Sequence, residues 1–299
     1  MSPIAGIIRR VTTRIAFARP PAQVSIGEGL TMAARYWAAS VERWVLPVAA
    51  ITLASGLATW LFPASLSDPA TLQRLLQMSI QGTPLDPSEV PRLVAGPLAV
   101  AIVSLVAGWL FTANAIVGLR GRDTTPGWVL AGGLRSFVAN LLIGLVVLTV
   151  LLPLLAIGAL GLLLVLALVP FALYLSFRVS FWTLAVFDGE GVSSGFGLTW
   201  RITRGAVLRL LGWSLALVPL GIVAGIGQLI VDAVIGPASQ PVADAISAAA
   251  DATVTSYTIL VLAVLYESQR GRVLGPQPGV APTPRSTFDP PPPPGPPWG

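Results

Sequence analysis

The chain has no cysteine and no histidine, and lysine is absent too, because all 18 of its basic residues are arginine. Without cysteine it can form no disulfide, no thiolate metal site and no cysteine nucleophile. Without histidine or lysine it lacks the side chains that most often act as general bases or activated nucleophiles. These absences favour a protein that is not an enzyme and that holds no metal and no cofactor.

Charge is scarce as well: 10% of the residues are charged, whereas about 25% is usual in soluble proteins. Hydrophobic residues make up 54%, and the mean hydropathy is +0.79. This composition predicts an integral membrane protein. Its arginines flank apolar runs, so the net charge of +5 indicates membrane topology and not nucleic-acid binding. The use of arginine without lysine suggests a high-GC genome and hence a bacterium, so we expect the cytoplasmic (inner) membrane.

Six apolar segments approach the roughly 20 residues that a helix needs to cross the hydrocarbon. They are Val45–Phe62, Pro97–Gly118, Phe137–Ala156, Ala159–Phe177, Leu210–Val231 and Ala245–Tyr266. The sixth is the weakest, because Asp251 falls in its first third, and we expect the end with this aspartate to project from the membrane. The segments together predict an all-α fold, a polytopic membrane helix bundle of six spans.

The arginine distribution predicts the orientation. If both termini are cytoplasmic, every arginine except Arg74 and Arg92 lies on the inner side, as the positive-inside rule requires. Those two belong to the one sizeable outer loop, Pro63–Arg92, in which leucine spacing predicts a short surface helix over Ala70–Met78.

Three segments follow from this reading: a basic amphipathic segment at 1–23, the membrane domain at 24–272 and a Pro-rich tail at 273–299. The tail is predicted to be disordered and cytoplasmic. It is either simply solvated or a docking site for a protein partner that binds proline-rich peptides. Apart from such a protein, the lipid bilayer is the expected partner.

A short pattern, Ser/Thr-x-Gly-x-x-Leu, begins at Ser25, Thr125 and Ser193. Each copy opens a predicted cytoplasmic interfacial amphipathic helix that precedes a pair of spans, and its Ser or Thr is a suitable N-cap. The chain therefore suggests a threefold repeat of interfacial helix plus hairpin, with chance and ordinary helix-start chemistry as the alternative.

Several motifs lie in a fixed order along the membrane domain. Arg178 ends a span, Glu190-Gly191 follows an apolar stretch, and Thr199-Trp-Arg-Ile-Thr-Arg-Gly205 stands in the next helix. Tyr266, Arg270 and Arg272 form a closing Tyr-x-x-x-Arg-x-Arg, and Ser25–Trp44 forms an opening helix. Over about residues 24–272 this pattern resembles the bacterial glycerophosphoryl diester phosphodiesterase membrane-domain family, with a departure at Ser268, where that family usually has an acid.

The resemblance concerns the membrane region only. The family takes its name from members fused to a phosphodiesterase barrel, whose catalysis relies on histidines and metal-binding carboxylates. This chain has no histidine, so the resemblance implies a membrane domain without an established reaction.

Five polar residues are candidate structural or functional sites. Asn114, Asn140 and Gln228 lie within predicted spans, and the two asparagines are expected at similar depth, bonded to each other or to nearby loop carbonyls. They serve either as structural hydrogen bonds or as substrate contacts. Arg178 and Glu190 flank an apolar stretch and are predicted to form an ion pair at the cytoplasmic interface, with independent solvation as the alternative.

With no catalytic residue set, we expect a non-catalytic scaffold or partner in cell-envelope or membrane processes. The alternative is a transporter or permease component for an apolar or lipid-like substrate. A bundle filled by side chains favours the scaffold, whereas a polar cavity or lateral groove lined by Asn114, Asn140 or Gln228 favours transport.

Overall fold

The computed structural model describes residues 20–21, 24–62, 69–81, 86–120, 125–156, 175 and 178–274. Three predicted features therefore lie wholly or largely outside the described residues: the N-terminal segment 1–23, the fourth span Ala159–Phe177 and the tail beyond residue 274.

Within these ranges the chain is helical and contains no strand. The helices are α1 (Ile26–Ala39), α2 (Val41–Leu61), α3 (Pro69–Ile80), α4 (Val90–Arg120), α5 (Pro126–Ala156), α6 (178–188), α7 (Val192–Thr203), α8 (Val207–Val234) and α9 (Gln240–Leu274). The short helix α3 covers the stretch where leucine spacing predicts a surface helix.

Five of the described helices are long and apolar enough to cross a membrane, namely α2, α4, α5, α8 and α9. They coincide with five of the predicted spans, and the predicted all-α polytopic bundle is confirmed. The fourth predicted span, Ala159–Phe177, and with it the total of six, stays a prediction, as do the orientation of the termini and the repeat.

Helix α9 is the central element of the bundle. It packs against α1, α2, α4, α7 and α8, and 39% of its most apolar stretch is buried, compared with 22% or less in the other four long helices. A helix surrounded by protein needs less apolar surface than one that faces lipid, and small polar residues such as Ser247 and Ser256 let neighbouring helices approach. The span with the weakest apolar signal in the sequence is therefore the one most enclosed by protein among the described long helices.

Helix α1 begins with a complete capping box. The Ser25 hydroxyl accepts a hydrogen bond from the Glu28 N–H, and the Glu28 carboxylate accepts one from the Ser25 N–H at 3.0 Å. The Ser25 side chain, followed by its backbone N–H, lowers the pKa of Glu28 by hydrogen bonding to the charged form. The cap predicted at Ser25 is thus present.

The other two copies of the repeat pattern differ from the prediction. After Thr125 no separate interfacial helix forms, because α5 runs without a break from Pro126 into the apolar stretch. The third helix begins at Val192 with Gly191 as its N-cap, so Ser193 lies inside α7 and is not the cap. Of the three copies of the pattern, those at α1 and α7 give a short helix set apart from the long helix that follows.

A close approach of α1 to α8 depends on a glycine. A Cβ atom added at Gly29 would lie 2.1 Å from Cη2 of Trp213, which is fully buried. Two residues earlier in the same helix, a Cβ atom at Gly27 would meet no atom within 4 Å. The indole of Trp213 therefore fits against a surface that only glycine provides.

We predict that Gly29→Ala destabilises the protein by about 1–3 kcal/mol, because the methyl group overpacks the contact with Trp213. The matched control is Gly27→Ala, which should be neutral or slightly stabilising, since alanine favours the helix and meets open space. The measurement is equilibrium unfolding of the purified variants in detergent. Equal stability of the two variants would contradict the predicted contact.

Candidate functional site: two polar cavities and a buried charge cluster

Asn114 compensates for a proline in another helix. Its side-chain amide donates to the backbone carbonyl of Arg43 at 3.0 Å. In a regular helix that carbonyl would accept from the N–H of residue 47, but proline has no N–H and Pro47 lies inside α2. Asn114 thus supplies the missing donor within the membrane, where no water can do so. Of the two roles predicted for it, a structural hydrogen bond and a substrate contact, this is the structural one.

We predict that Asn114→Ala costs about 1 kcal/mol, within the range measured for hydrogen bonds between membrane helices. In a Pro47→Ala background the loss should be smaller, because the backbone N–H of residue 47 then serves the Arg43 carbonyl. A double-mutant cycle of unfolding free energies in mixed micelles measures this coupling. Strictly additive effects would show that the two sites act independently.

Asn140 has a different partner. Its Oδ1 accepts from the hydroxyl of Thr183 at 3.2 Å, which joins α5 to α6. The predicted hydrogen bond between Asn114 and Asn140 is thus replaced by bonds to two other partners, one of them a backbone carbonyl. The sequence places the two asparagines at a similar depth in the membrane, but it does not show towards which neighbouring helix each side chain points.

Arg178 and Glu190 also bond other groups. The guanidinium of Arg178 lies 3.6 Å from the ring centroid of Trp200, so it stacks on the indole face and joins α6 to α7. Glu190 accepts from the Ser194 hydroxyl at 3.4 Å. The salt bridges that the structure gives within its described ranges join other side chains, so the ion pair predicted for Arg178 and Glu190 is not formed.

Sequence reasoning missed the strongest electrostatic feature, which we name the arginine–carboxylate cluster: Arg120, Asp188, Glu267 and Arg270. Arg120 bonds both Asp188 and Glu267, with its Nε 2.9 Å from the Glu267 Oε1. Arg270 donates to Asp188 at 3.0 Å. All four side chains are at most 13% exposed, and two positive charges balance two negative ones.

The cluster ties the ends of α4, α6 and α9 together. Sequence analysis counted Arg120 and Arg270 only as topology signals at a solvated surface. The sequence did contain a signal for this cluster: two acids, Asp188 and Glu267, lie at the same predicted depth as the two arginines and could pair with them. Buried ions are stable only when fully paired, so each member of the cluster depends on the others.

We predict that Asp188→Asn costs about 3–5 kcal/mol, because it leaves two buried arginines with one carboxylate. The control is Glu89→Gln, which breaks the Arg74–Glu89 pair; both side chains of that pair are at least 40% exposed. Its cost should be about 0–1 kcal/mol. Adding Arg270→Gln to Asp188→Asn restores neutrality and should recover part of the loss. Unfolding in mixed micelles measures all three, and a cost for Asp188→Asn no larger than that of the control would contradict a tightly paired cluster.

A polar cavity of about 590 Å³ lies between α2, α4, α8 and α9, and we name it the carboxylate cavity. Gln228 lines it, as do two acids, Asp244 and Asp251. Its remaining lining residues are Ile51, Ser55, Ala58, Thr59, Pro97, Val100, Ala101, Ser104, Gly108, Phe111, Ser247, Ala248, Ala252 and Thr255. Asp251, whose end of α9 is predicted to project from the membrane, is exposed and lies in the wall of this cavity.

The two acids of this cavity differ in their bonding. Asp244 accepts the Thr59 hydroxyl at one carboxylate oxygen and the side-chain amide of Gln240, at 2.8 Å, at the other. Asp251 is exposed to the cavity. Between them along α9 lies Ser247, which is 6% exposed and whose hydroxyl has no hydrogen-bond partner among the described residues.

A second cavity, the asparagine cavity, has a volume of about 330 Å³ and lies between α4, α5, α6 and α9. Asn140, Thr183, Ser136 and Thr112 are among its lining residues. It meets the carboxylate cavity at α4, since Ser104 and Gly108 line both. A Cβ atom at Gly108 would meet no atom within 4 Å, so the junction is not filled by side chains of the described residues.

A third depression, the apolar groove of about 530 Å³, lies between α5, α6 and α7. Its described wall is apolar apart from Arg178 and Thr199, and the ring of Trp200 forms part of it. In the part of the chain that the structure describes, no group of three or more acidic side chains could hold a metal ion.

No family model matches this chain, and neither does any curated protein or any solved structure. Its function is therefore argued from its own geometry.

Proposed function

We propose that this protein is a transporter or permease component in a cell membrane, and that the carboxylate cavity is its substrate site. The observation that carries the proposal is a polar cavity inside a bundle of apolar helices, lined by Gln228, Asp244 and Asp251. A scaffold needs only a filled core, whereas a ligand site needs a concave space with a few convergent polar groups. This reverses the order in which composition alone ranks the two functions.

The depth of the cavity supports this proposal. Asp251 precedes Glu267 by roughly 24 Å along α9, at 1.5 Å per residue. If the arginine–carboxylate cluster lies at the cytoplasmic interface, Asp251 falls within the outer part of a hydrocarbon layer about 30 Å thick. An ionisable residue at such depth normally faces a water-filled cavity or a binding site.

The arrangement of the two cavities supports movement through the bundle. The carboxylate cavity includes Thr59, near the end of α2, and Asp244, near the start of α9. The asparagine cavity continues from Ser104 and Gly108 towards Asn140, on the side of α4 where α5 and α6 lie. Together they form a track of hydroxyl, amide and carboxylate groups, and the arginine–carboxylate cluster lies at the arginine-rich end of the bundle.

The lining suits an amphiphile. Apolar side chains such as Ile51, Val100 and Phe111 alternate with polar ones around the carboxylate cavity. This agrees with the lipid-like substrate expected of a transporter here, provided that the molecule has a polar group. The proposal includes six spans, cytoplasmic termini, a bacterial inner membrane and membership of the glycerophosphoryl diester phosphodiesterase membrane-domain family, and it assigns no reaction.

The absence of native cysteine makes the proposal directly testable, because each introduced cysteine is unique. We expect Thr255→Cys to react with a membrane-impermeant maleimide added outside the cell, since Thr255 is exposed and lines the carboxylate cavity. Asn140→Cys, at an exposed position that lines the asparagine cavity, should react from the cytoplasmic side of inverted vesicles. Labelling is read by mass shift in intact vesicles.

The matched control is Val223→Cys on α8, where the side chain is 67% exposed but lies among apolar residues that face lipid. It should not react from either side, because a thiolate does not form in hydrocarbon. Unreactive cysteines at both cavity positions would indicate a dry, closed bundle and favour the scaffold.

A further inference from the structure

The charged side chains in the described wall of the carboxylate cavity are all acidic. Its described lining contains Asp244 and Asp251 and no basic side chain. Arg43 and Arg209 lie near the first turns of α2 and α8, at the opposite end of the bundle from this cavity. A carboxylate held inside a membrane protein requires a counter-charge or a proton.

A second observation points to a bound group, namely the hydroxyl of Ser247. The residue is more than nine-tenths buried, lines the cavity and has no hydrogen-bond partner in the described structure. Buried hydroxyls are normally satisfied, and those that are not commonly face a ligand or ordered water. Ser247 lies one turn from both Asp244 and Asp251 on α9, so all three mark the same wall.

The rest of the wall limits the chemistry of the occupant. Val100, Ile51 and the alanines contribute aliphatic surface to it. An organic cation can place its apolar groups against such a wall, whereas a small inorganic cation requires several oxygen ligands at short range. Because both oxygens of Asp244 already accept hydrogen bonds, the acid best placed to meet a ligand charge is Asp251.

From these observations we infer that the carboxylate cavity binds an amphiphilic organic cation. The positive charge lies against Asp251, and the apolar part contacts the aliphatic wall. Ser247 accepts or donates a hydrogen bond where the ligand carries a polar group. The inference rests on the proposed function, because it names the substrate class of the same site.

The test is equilibrium binding of radiolabelled tetraphenylphosphonium to the full-length protein in a nonionic detergent. Tetraphenylborate, measured separately, has a similar size and apolar surface and the opposite charge. We expect saturable binding of the phosphonium and none of the borate. Asp251→Asn should weaken phosphonium binding at least about tenfold, because a close charge pair is lost and the shape of the side chain is kept.

Asp232→Asn is the matched control. Asp232 lies near the end of α8, carries the same charge and is not among the described lining residues of the cavity. Its replacement should change phosphonium affinity by less than about twofold, since Asp232 is not a described lining residue and solvent and salt weaken the effect of a charge with distance. Equal losses in Asp232→Asn and Asp251→Asn would indicate a general field effect and overturn the inference.

A second variant keeps the test decisive if Asp251→Asn does not fold. Thr255→Phe keeps both carboxylates, but its ring fills part of the cavity, and it should abolish saturable phosphonium binding. Unchanged binding in Thr255→Phe would place the ligand elsewhere and overturn the inference. Equal binding of phosphonium and borate to the unmodified protein would also overturn it.

These outcomes are separate from the fate of the proposed function. A cavity that labels from water but binds neither ion ends the present inference and leaves the transporter proposal standing. Saturable, Asp251-dependent phosphonium binding to a protein whose asparagine cavity labels from neither side would instead support a cation-binding protein that does not transport.

Discussion

Hydrocarbon offers no hydrogen bonds, and this constraint governs the polar groups of the bundle. Each such group must find a partner within the protein or face an internal space. Asn114 donates to a carbonyl that Pro47 leaves without its usual donor. Thr52 and Thr112 bond carbonyls one turn earlier in their own helices. Two further groups of polar side chains lie along α9, the arginine–carboxylate cluster and the polar lining of the two cavities.

Helix α9 carries both of these arrangements, one in each half. Its C-terminal half contributes Glu267 and Arg270 to a cluster in which opposite charges are equal in number and closely paired. Its N-terminal half contributes Asp244, Ser247 and Asp251 to a cavity wall. Close pairing makes each charge in the first half depend on the others, because a single broken pair leaves a buried ion. In the second half no basic side chain is among the described lining residues of the cavity, and the proposed binding site rests on this difference.

The features that depend on local sequence were predictable. Long uncharged runs predicted the five described membrane helices, and the Ser-x-Gly-x-x-Leu pattern placed the cap of α1 at Ser25. Gln228 was identified as a candidate because amides are rare within spans, and it lines the carboxylate cavity. Predictions about pairs of residues did less well: the asparagines bond Arg43 and Thr183, and Arg178 stacks on Trp200. Arg120 and Arg270 were taken for solvated interface charges because one chain shows charge order but not contact.

Composition and hydropathy by themselves determined the solvent of this protein, its helical class, the positions of the described spans and the absence of histidine and cysteine chemistry. Only the tertiary structure decided which face of each helix meets protein, which charges are paired and where the bundle is hollow. The physical reason is that lipid and a protein core are both apolar. A spanning helix therefore shows no amphipathic pattern that separates its lipid side from its protein side, and the aspartates of α9 could be assigned to a cavity wall only once α2, α4 and α8 were seen around them.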